Sequence, residues 1–140
     1  MTYDPLDSIS RPTAASRMAV LPHLPTAATA CVEGRRFVAD HLSRWGVPFQ
    51  VCDTVVLLTS ELLANAVRHG PPPLCLQLDA DQHRVRVEVS DSNPVLPVLT
   101  RPDFEAIGGR GLWLVDTMAG AWGCTPQPSG KVVWYEVPLT

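Results

Sequence analysis

The sequence lacks the features that would place a chain in a membrane, on nucleic acid or outside the cell. No apolar run approaches the ~20 residues that a membrane-spanning helix needs. Lys and Arg number 11 against 14 Asp and Glu, so the formal net charge is -3 and no basic field for nucleic acid is present. The N-terminal stretch does not join a charged start to an apolar run, so no signal peptide is predicted and a cytoplasmic location is expected.

Cysteine is sparse, and its four copies form no close pair. They are far apart, without C-x-x-C spacing, and the four histidines do not cluster with them; they are Cys31, Cys52, Cys75 and Cys124. Reduced, buried thiols are the simplest interpretation, and a zinc site or a disulfide framework is the alternative. The 140 residues, 46% of them hydrophobic, suffice for one domain around a single core.

Hydrophobic periodicity predicts three helices and five strands. In chain order they are a short edge strand near 18–21, helices at about 26–45 and 51–69, strands at 74–78 and about 84–90, a helix at about 112–119, and strands at 121–126 and 131–139. Sequential hairpins favour antiparallel pairing, and three helices can cover one face of such a sheet well. The predicted fold class is α/β: a two-layer sandwich with a mixed, mostly antiparallel sheet and three helices on one face.

Two segments fall outside these elements. Residues 1–15 are rich in Pro, Ser, Thr and Asp and are predicted to form a disordered arm, which leaves 16–140 as the folded domain. The stretch 92–107 has three prolines and no clear period. A loop of this length in a compact domain is usually functional or mobile.

A polar stripe on the second predicted helix is a candidate catalytic site. Glu61, Asn65 and His69 are four residues apart, so they share a helix face beside Arg68. A solvated helix face has the same pattern, and the helix dipole also favours a His at the C-terminal end. The functional interpretation is that the Asn65 carbonyl oxygen binds Mg²⁺, Glu61 acts as a general base near that metal, and His69 contacts a phosphate.

Asp91 ends a strand in which valines alternate with polar residues. It keeps the two-residue spacing of Val85, Val87 and Val89, so a strand that reaches Asp91 turns its carboxylate toward the buried face, where a charge needs a partner. One interpretation is a turn-forming Asp at the start of "DSNP". The other is an acceptor for the exocyclic amine of adenine, where guanine carries a carbonyl. The second interpretation predicts a hydrated Asp91 in an open pocket of the nucleotide-free protein.

Glycines precede the third predicted helix. The stretch "IGGRGLWLV" places Gly108, Gly109 and Gly111 before the free N–H groups of a helix start, which form a ready anion site. Arg110 adds a positive charge. A flexible turn has the same composition, whereas the functional interpretation is a cradle for phosphates.

Taken together, these clusters resemble a known family. Glu61-x-x-x-Asn65, Asp91 at a strand end and Gly109-x-Gly111-Leu112 resemble the histidine-kinase-like (GHKL) ATP-binding domain, which gyrase, a heat-shock chaperone, histidine kinases and mismatch-repair ATPases share. The short length and the stretches "ELLANAVRHG", "GGRGLWLV" and "GKVVWYEV" resemble one branch, the bacterial anti-sigma-factor serine/threonine kinases. The resemblance covers about residues 18–138.

The resemblance implies a role for each matching residue, with ATP and Mg²⁺ as cofactors. Glu61 would be the catalytic base on the acceptor hydroxyl, Asn65 the Mg²⁺ ligand and Asp91 the acceptor of the adenine amine. The other implied ATP-binding residues are His69, Asn93, Gly109, Arg110, Gly111 and Leu112, under a lid formed by about 94–107. The implied partners are a sigma factor and a small antagonist protein phosphorylated on Ser or Thr, without nucleic acid or membrane, and many members of the branch are dimers.

The chain departs from the family pattern in one box. The family's D-x-G-x-G reads here Asp91-Ser92-Asn93-Pro94-Val95, so both glycines are missing. Asn adopts a left-handed backbone at some cost and Val does not do so cheaply. Nucleotide affinity is the property that this departure affects most directly.

Three functions are consistent with the sequence. The leading hypothesis is an ATP-dependent anti-sigma kinase, which depends on Glu61 and Asn65 both being present. The second is a partner-binding module without catalysis, with weak or lost nucleotide binding, which depends on the missing glycines at Asn93 and Val95. The third is an ATP hydrolase or an unrelated small-ligand binder, which rapid ATP turnover without a partner would favour.

Overall fold

The computed structural model describes residues 16–24, 27–69, 73–96 and 111–139, and its helices and strands form two layers. In chain order they are β1 (Arg17–Leu24), α1 (Ala28–Arg44), α2 (Phe49–His69), β2 (Leu74–Ala80), β3 (Arg84–Asp91), α3 (Gly111–Met118), β4 (Ala121–Gln127) and β5 (Gly130–Pro138). All eight predicted elements are present. Helices α1 and α2 end at Arg44 and His69, close to their predicted ends at about 45 and 69. The predicted arm at 1–15 and most of the predicted loop at 92–107 lie outside the described residues.

The five strands form one sheet in the order β1-β2-β3-β5-β4. β3 is central, since it pairs with β2 on one side and with β5 on the other. All four neighbouring pairs of described strands are antiparallel. The predicted α/β sandwich is confirmed, with a fully antiparallel sheet over the part of the chain that the structure describes.

One core lies between the sheet and the helices. Every second residue of the strands points into it, as the period of two requires; these buried residues include Leu74, Leu76, Leu78, Val85, Val87, Val89, Val133, Tyr135 and Val137. The helices contribute a stripe at three- and four-residue spacing, with Val38, Leu42, Leu58, Leu62 and Leu63 at its centre. Val38 and Leu42, four residues apart on α1, thus face the same core.

Helix α2 is by length and mean hydropathy the one described helix that could cross a membrane. A central helix of a protein core has the same composition. In this structure Leu58, Leu62 and Leu63 are buried in the core that α2 shares with the sheet. The apolar residues of α2 are thus explained by its position over the sheet.

A buried hydrogen-bond network fixes α2 on strand β5. The Tyr135 hydroxyl donates to the backbone oxygen of Val55 at 2.9 Å and lies 2.7 Å from Thr59 Oγ1. Because Tyr has a single hydroxyl proton, Thr59 is the donor in the second bond. Burial raises the pKa of Tyr135, so this hydroxyl stays protonated. The network sets the rotation of α2 two residues before Glu61.

The face of the sheet away from the helices carries a partly buried charge network. Arg86 donates to Glu136 at 2.9 Å, lies 4.2 Å above the ring of Trp134 and approaches Glu88 at 3.8 Å. Arg84 also pairs with Glu136, at 2.7 Å. Burial raises the pKa of Glu88, and the positive charge of Arg86 opposes this shift. The alternation that assigned these residues to the polar face is correct, although Arg86 is buried on that face.

Candidate nucleotide-binding site

Helix α3 begins against the turn of α2 that carries Glu61. A Cβ atom built on Gly111 would lie 3.3 Å from the backbone oxygen of Glu61 and 3.6 Å from its Cβ. A side chain at position 111 would therefore crowd the α2 backbone, and glycine permits the close approach. Leu112 is buried in the core, so its contribution to a ligand site would be its backbone N–H group. Asn65 follows Glu61 by one turn of α2 and is half-buried.

Asp91 lies at the end of β3 with its side chain only 4% exposed. Its cross-strand neighbour is Lys131 of β5, whose ammonium nitrogen is 3.0 Å from Asp91 Oδ1. The same oxygen accepts a hydrogen bond from the backbone N–H of Asn93 at 2.9 Å. The predicted inward phase of Asp91 is correct, but the prediction of a hydrated carboxylate in an open pocket is not, because a lysine from the neighbouring strand occupies the carboxylate.

Asn93 connects the end of β3 to the end of α2. Its amide nitrogen donates to the backbone oxygen of His69, and its amide oxygen accepts the N–H of Val95 at 3.0 Å. Lys131 donates a second hydrogen bond to the backbone oxygen of Asn93, at 3.0 Å. The side chain of His69 is exposed, so its backbone makes the connection.

The backbone at Asn93 and Val95 does not need glycine. Among the non-glycine residues that the structure describes, only His23 has a positive φ, at 61°. Asn93 instead closes an Asx-type turn, in which its side chain replaces a backbone group as acceptor. The two missing family glycines are therefore accommodated by a different loop geometry, and the expected cost of a left-handed backbone does not arise.

Gly130 allows β5 to start directly beside the end of β3. A Cβ atom at this position would lie 1.9 Å from the backbone oxygen of Asp91, and φ is 158°. No side chain fits in that space, so the sequence must carry glycine there. This contact sets the register that brings Lys131 opposite Asp91.

The predicted site residues that the structure describes meet in two contacts along α2, one at Glu61 and one at His69. Gly111 is against Glu61; the Asn93 side chain donates to the backbone oxygen of His69, and the Asn93 backbone N–H donates to the Asp91 carboxylate. Gly109 and Arg110 lie outside the described residues, so their predicted phosphate contacts stay predictions. The fold thus brings together the stripe on α2, the end of β3 and the start of α3, which are separate in the sequence.

Helix α1 contributes side chains beside the Glu61 turn. The Cys31 thiol lies 3.9 Å from the backbone oxygen of Ser60, and Arg35 Nη1 donates to Ser60 Oγ at 3.4 Å. Burial raises the pKa of Cys31; the Arg35 charge opposes this shift and the Glu61 charge adds to it. All four cysteines are free, as the simplest interpretation of their spacing expected, although they are half-buried and not buried.

Possible metal ligands are few in the described residues. No group of three or more His, Cys, Asp or Glu side chains there could hold a metal ion. The described residues therefore do not form a metal site made of protein ligands alone. Mg²⁺ characteristically keeps several waters and binds through one or two protein oxygens together with phosphates, and the Asn65 amide oxygen fits that donor set.

Lys131 is the residue of this site that sequence reasoning missed. A signal was present, because Lys131 has the period-two phase of Val133, Tyr135 and Val137, as Asp91 has the phase of its valines. Two strand-end charges of opposite sign, each in a buried phase, are partners if their strands are neighbours. The neighbourhood of β3 and β5 is not local, since α3 and β4 separate them along the chain.

The comparisons with known proteins agree with this fold. Residues 24–136 match the family model described as the histidine kinase-like ATPase domain. The match spans most of the chain, so the protein belongs to the histidine kinase-like ATPase family. A search of curated proteins finds no match.

Several solved structures are similar to the chain, and two of them are described here. One contains the RsbU and RsbW domains of Rv1364c from Mycobacterium tuberculosis, with a TM-score of 0.67 and 16% identity over 86% of this chain. The chain spans only 32% of that protein's length. The other is a histidine kinase domain from Erythrobacter litoralis, with a TM-score of 0.46 and 20% identity over 94% of this chain and 67% of that one. The first likeness supports the fold assignment.

Proposed function

We propose that this protein is a cytoplasmic, ATP-binding regulator of the anti-sigma-factor kinase type. It uses Mg-ATP to phosphorylate a small antagonist protein on Ser or Thr, and it sequesters a sigma factor. The observation that carries the proposal is that two of the boxes lie against the third: the start of α3 closely approaches Glu61 at Gly111, and Asn93 joins the end of β3 to the end of α2. Family membership and the likeness to a structure that contains an RsbW domain support it.

Each residue has a defined part in this proposal. Mg-ATP, when bound, supplies the phosphoryl group and the metal that neutralises its charge. The Asn65 amide oxygen is the protein ligand to the metal, and the Asp91 carboxylate accepts the adenine amine. The carboxylate of Glu61 would accept the proton of the Ser or Thr hydroxyl, whose oxygen takes the terminal phosphoryl group of bound ATP while ADP leaves.

The N-terminal end of α3 serves the phosphates. Its first N–H groups have no intrahelical partner and carry the positive end of the helix dipole. The close approach of Gly111 to Glu61 puts this end beside the turn of α2 that carries the base. Gly109 and Arg110 complete the cradle, with the segment 94–107 as its lid.

Calorimetric titration with ATP and GTP, with and without Mg²⁺, tests the nucleotide site. Wild type is expected to bind ATP in a Mg²⁺-dependent way and to discriminate against GTP. Asp91→Asn replaces the charged acceptor of the adenine amine by a neutral one and is expected to weaken the binding of ATP about 10- to 100-fold. Asn65→Ala is expected to remove the Mg²⁺ dependence.

The matched control for Asn65→Ala is Gln50→Ala. Gln50 is an exposed amide at the opposite end of the same helix, so its loss tests the general effect of removing an amide from α2. Unchanged ATP binding in folded Asn65→Ala would refute the metal-ligand role. Failure of folded wild type to bind any nucleotide would refute the proposed function.

The catalytic half of the proposal needs the protein substrate. Small antagonist proteins incubated with Mg-ATP and wild type are expected to gain one phosphate on Ser or Thr, detected by mass spectrometry. Glu61→Gln keeps the size and polarity of the side chain but cannot accept the proton, so transfer is expected to be lost while ATP binding is kept. Equal transfer by Glu61→Gln would refute the general-base role.

A partner-binding module without catalysis is the second candidate. The buried Asp91–Lys131 pair favours it, because the carboxylate proposed to accept the adenine amine is already paired with a lysine of the same chain. A cleft of about 370 Å³ between the helices, lined in part by Arg35, Leu57 and Met118, is available to a partner. This candidate predicts that Glu61→Gln leaves regulation intact, while alanine at Arg35 and Arg36 abolishes it.

A further inference from the structure

The ion pair between Asp91 and Lys131 is shielded from solvent on both sides. The two side chains are directly opposite each other on β3 and β5, 3.0 Å apart, and are 4% and 5% exposed. Both belong to the helix-facing side of the sheet, in phase with Val89 and Val133. A charge pair in such surroundings is weakly screened, and each partner depends on the other for its counter-charge.

Lys131 also holds the loop that follows β3. Its ammonium group donates to Asp91 Oδ1 and to the backbone oxygen of Asn93, both at 3.0 Å. Asn93 in turn donates to the backbone oxygen of His69 at the end of α2. The lysine therefore closes the end of the sheet against the helix that carries the proposed catalytic residues.

The amine of a nucleobase is a neutral donor, and Lys131 is a charged one. A hydrogen bond in which one group is ionised is stronger than a bond between neutral groups. A hydrogen bond between two groups of opposite charge, such as Lys131 and Asp91, is an ion pair in addition. A base that takes Asp91 from Lys131 would leave a buried ammonium group without its counter-charge, which is costly. The pair thus opposes occupation of Asp91 by an amine.

We propose that Lys131 is the affinity-determining residue of the base site: it competes with the base amine for Asp91 and so weakens nucleotide binding. The inference rests on the proposed function, since it concerns the same site. It adds a residue of this chain and the direction in which that residue acts. Lys131 must release Asp91, or share it, before a base can bind there.

Whether ATP affinity rises or falls when Lys131 is neutralised distinguishes a competitor for Asp91 from a lysine that binds phosphate. A lysine that binds the triphosphate would lose ATP affinity when neutralised, because an attractive charge is removed. A lysine that competes for Asp91 would gain affinity on the same substitution. Adenosine sharpens the distinction, since it has the base amine and no phosphate.

The test is calorimetric titration of wild type, Lys131→Gln and Lys131→Thr with Mg-ATP and with adenosine. Both substitutions remove the cation and keep a polar side chain at position 131; circular dichroism and thermal melts establish which of them is folded. The folded variants are expected to bind both ligands at least about tenfold more tightly than wild type, about 1.4 kcal/mol. Lys131→Arg keeps the charge and is expected to bind as weakly as wild type.

Arg84→Gln is the matched charge control. Arg84 is on β3 and pairs with Glu136 on the opposite face of the sheet, so its loss changes net charge equally without touching Asp91. Its ATP and adenosine affinities are expected to equal those of wild type. Tighter binding in Arg84→Gln as well would overturn the assignment to Lys131.

The outcomes separate this inference from the proposed function. If wild type binds Mg-ATP and folded Lys131→Gln and Lys131→Thr bind it no more tightly, Lys131 is not a competitor and nucleotide binding stands. If folded wild type fails to bind and the variants bind, the proposed function of the natural chain is overturned, while the competition of Lys131 for Asp91 is supported. If no folded form binds any nucleotide, the proposed function is overturned and the inference with it.

Discussion

The hydroxyl of Tyr135 is the group whose removal best tests how α2 is held on the sheet. Tyr135→Phe deletes one oxygen from a side chain that is fully buried and leaves the ring volume nearly unchanged, so no large cavity forms. Two partners lose a hydrogen bond, the backbone oxygen of Val55 and the hydroxyl of Thr59. Tyr135→Phe therefore removes these two hydrogen bonds and changes the packing of the core very little.

The expected cost follows from what each partner does next. A buried polar group left unsatisfied costs about 1–3 kcal/mol. Thr59 lies four residues after Val55 on α2, so its hydroxyl can rotate and donate to the Val55 oxygen itself, which satisfies both groups in part. We expect Tyr135→Phe to lower the free energy of unfolding by about 1–2 kcal/mol, and the melting temperature by roughly 4 °C per kcal/mol.

A double-mutant cycle measures the network directly. Thr59→Val removes the donor while Tyr135 still bonds Val55, so it is expected to cost less than Tyr135→Phe. In the double variant the facing groups are both apolar, and the coupling between the two substitutions is expected to be about 1 kcal/mol. Urea unfolding followed by circular dichroism gives all four stabilities. Additive effects, or a Tyr135→Phe variant as stable as wild type, would refute the account of how α2 is fixed.

Two further substitutions test the site and the opposite face of the sheet. Gly111→Ala puts a Cβ 3.3 Å from the backbone oxygen of Glu61, and the backbone of α2 cannot easily move away. We expect this variant to be about 1 kcal/mol less stable and to bind Mg-ATP more weakly by calorimetry. Burial raises the pKa of Glu88, so the folded chain binds a proton on this carboxylate more tightly than the unfolded chain does. The free energy of unfolding therefore falls as pH rises from about pH 4 through the folded pKa. Glu88→Gln removes that loss, so urea unfolding is expected to show it gaining stability on wild type as pH rises.

Each of these two predictions has a control in the same fold. Gly34→Ala also crowds a neighbour, since its Cβ would lie 2.1 Å from Leu63 Cδ1, but that neighbour is in the core. It is expected to destabilise the fold and to leave nucleotide affinity unchanged, and equal affinity losses in both glycine variants would contradict a local role for Gly111. Glu33→Gln, on the exposed face of α1, is the control for Glu88→Gln, and a pH-independent stability difference at Glu88 would contradict the burial argument.

The secondary structure was predictable because each element carries a local signal. The alternation of Val85, Val87 and Val89 is a strand period, and the spacing of Val38 and Leu42 is a helix period. The end of α1 is local as well, since Gly46 adopts φ 75° just after the last helical turn. Antiparallel pairing followed from short connections between consecutive strands, and it holds for β2 with β3 and for β4 with β5.

The candidate site was predictable in its parts and not in its contacts. Spacing placed Glu61 and Asn65 on one face of α2, and phase turned Asp91 inward, as the structure has them. The partner of Asp91 was predicted to be a ligand, and it is Lys131 in this structure. The turn at Asn93 was expected to suffer from the missing glycines. It does not require glycine, because a hydrogen bond from Val95 N–H to the Asn93 side chain shapes the loop instead.

The sequence by itself determined the elements, their amphipathic faces and the residue types able to bind a nucleotide and a metal. These properties depend on neighbours within about one or two helical turns or along one strand, where spacing fixes direction. Only the tertiary structure decided that β5 lies beside β3, which makes Lys131 the neighbour of Asp91, and that α3 begins against Glu61. Both depend on contacts between segments far apart in the chain, whose geometry is set by the packing of the whole sheet against its helices.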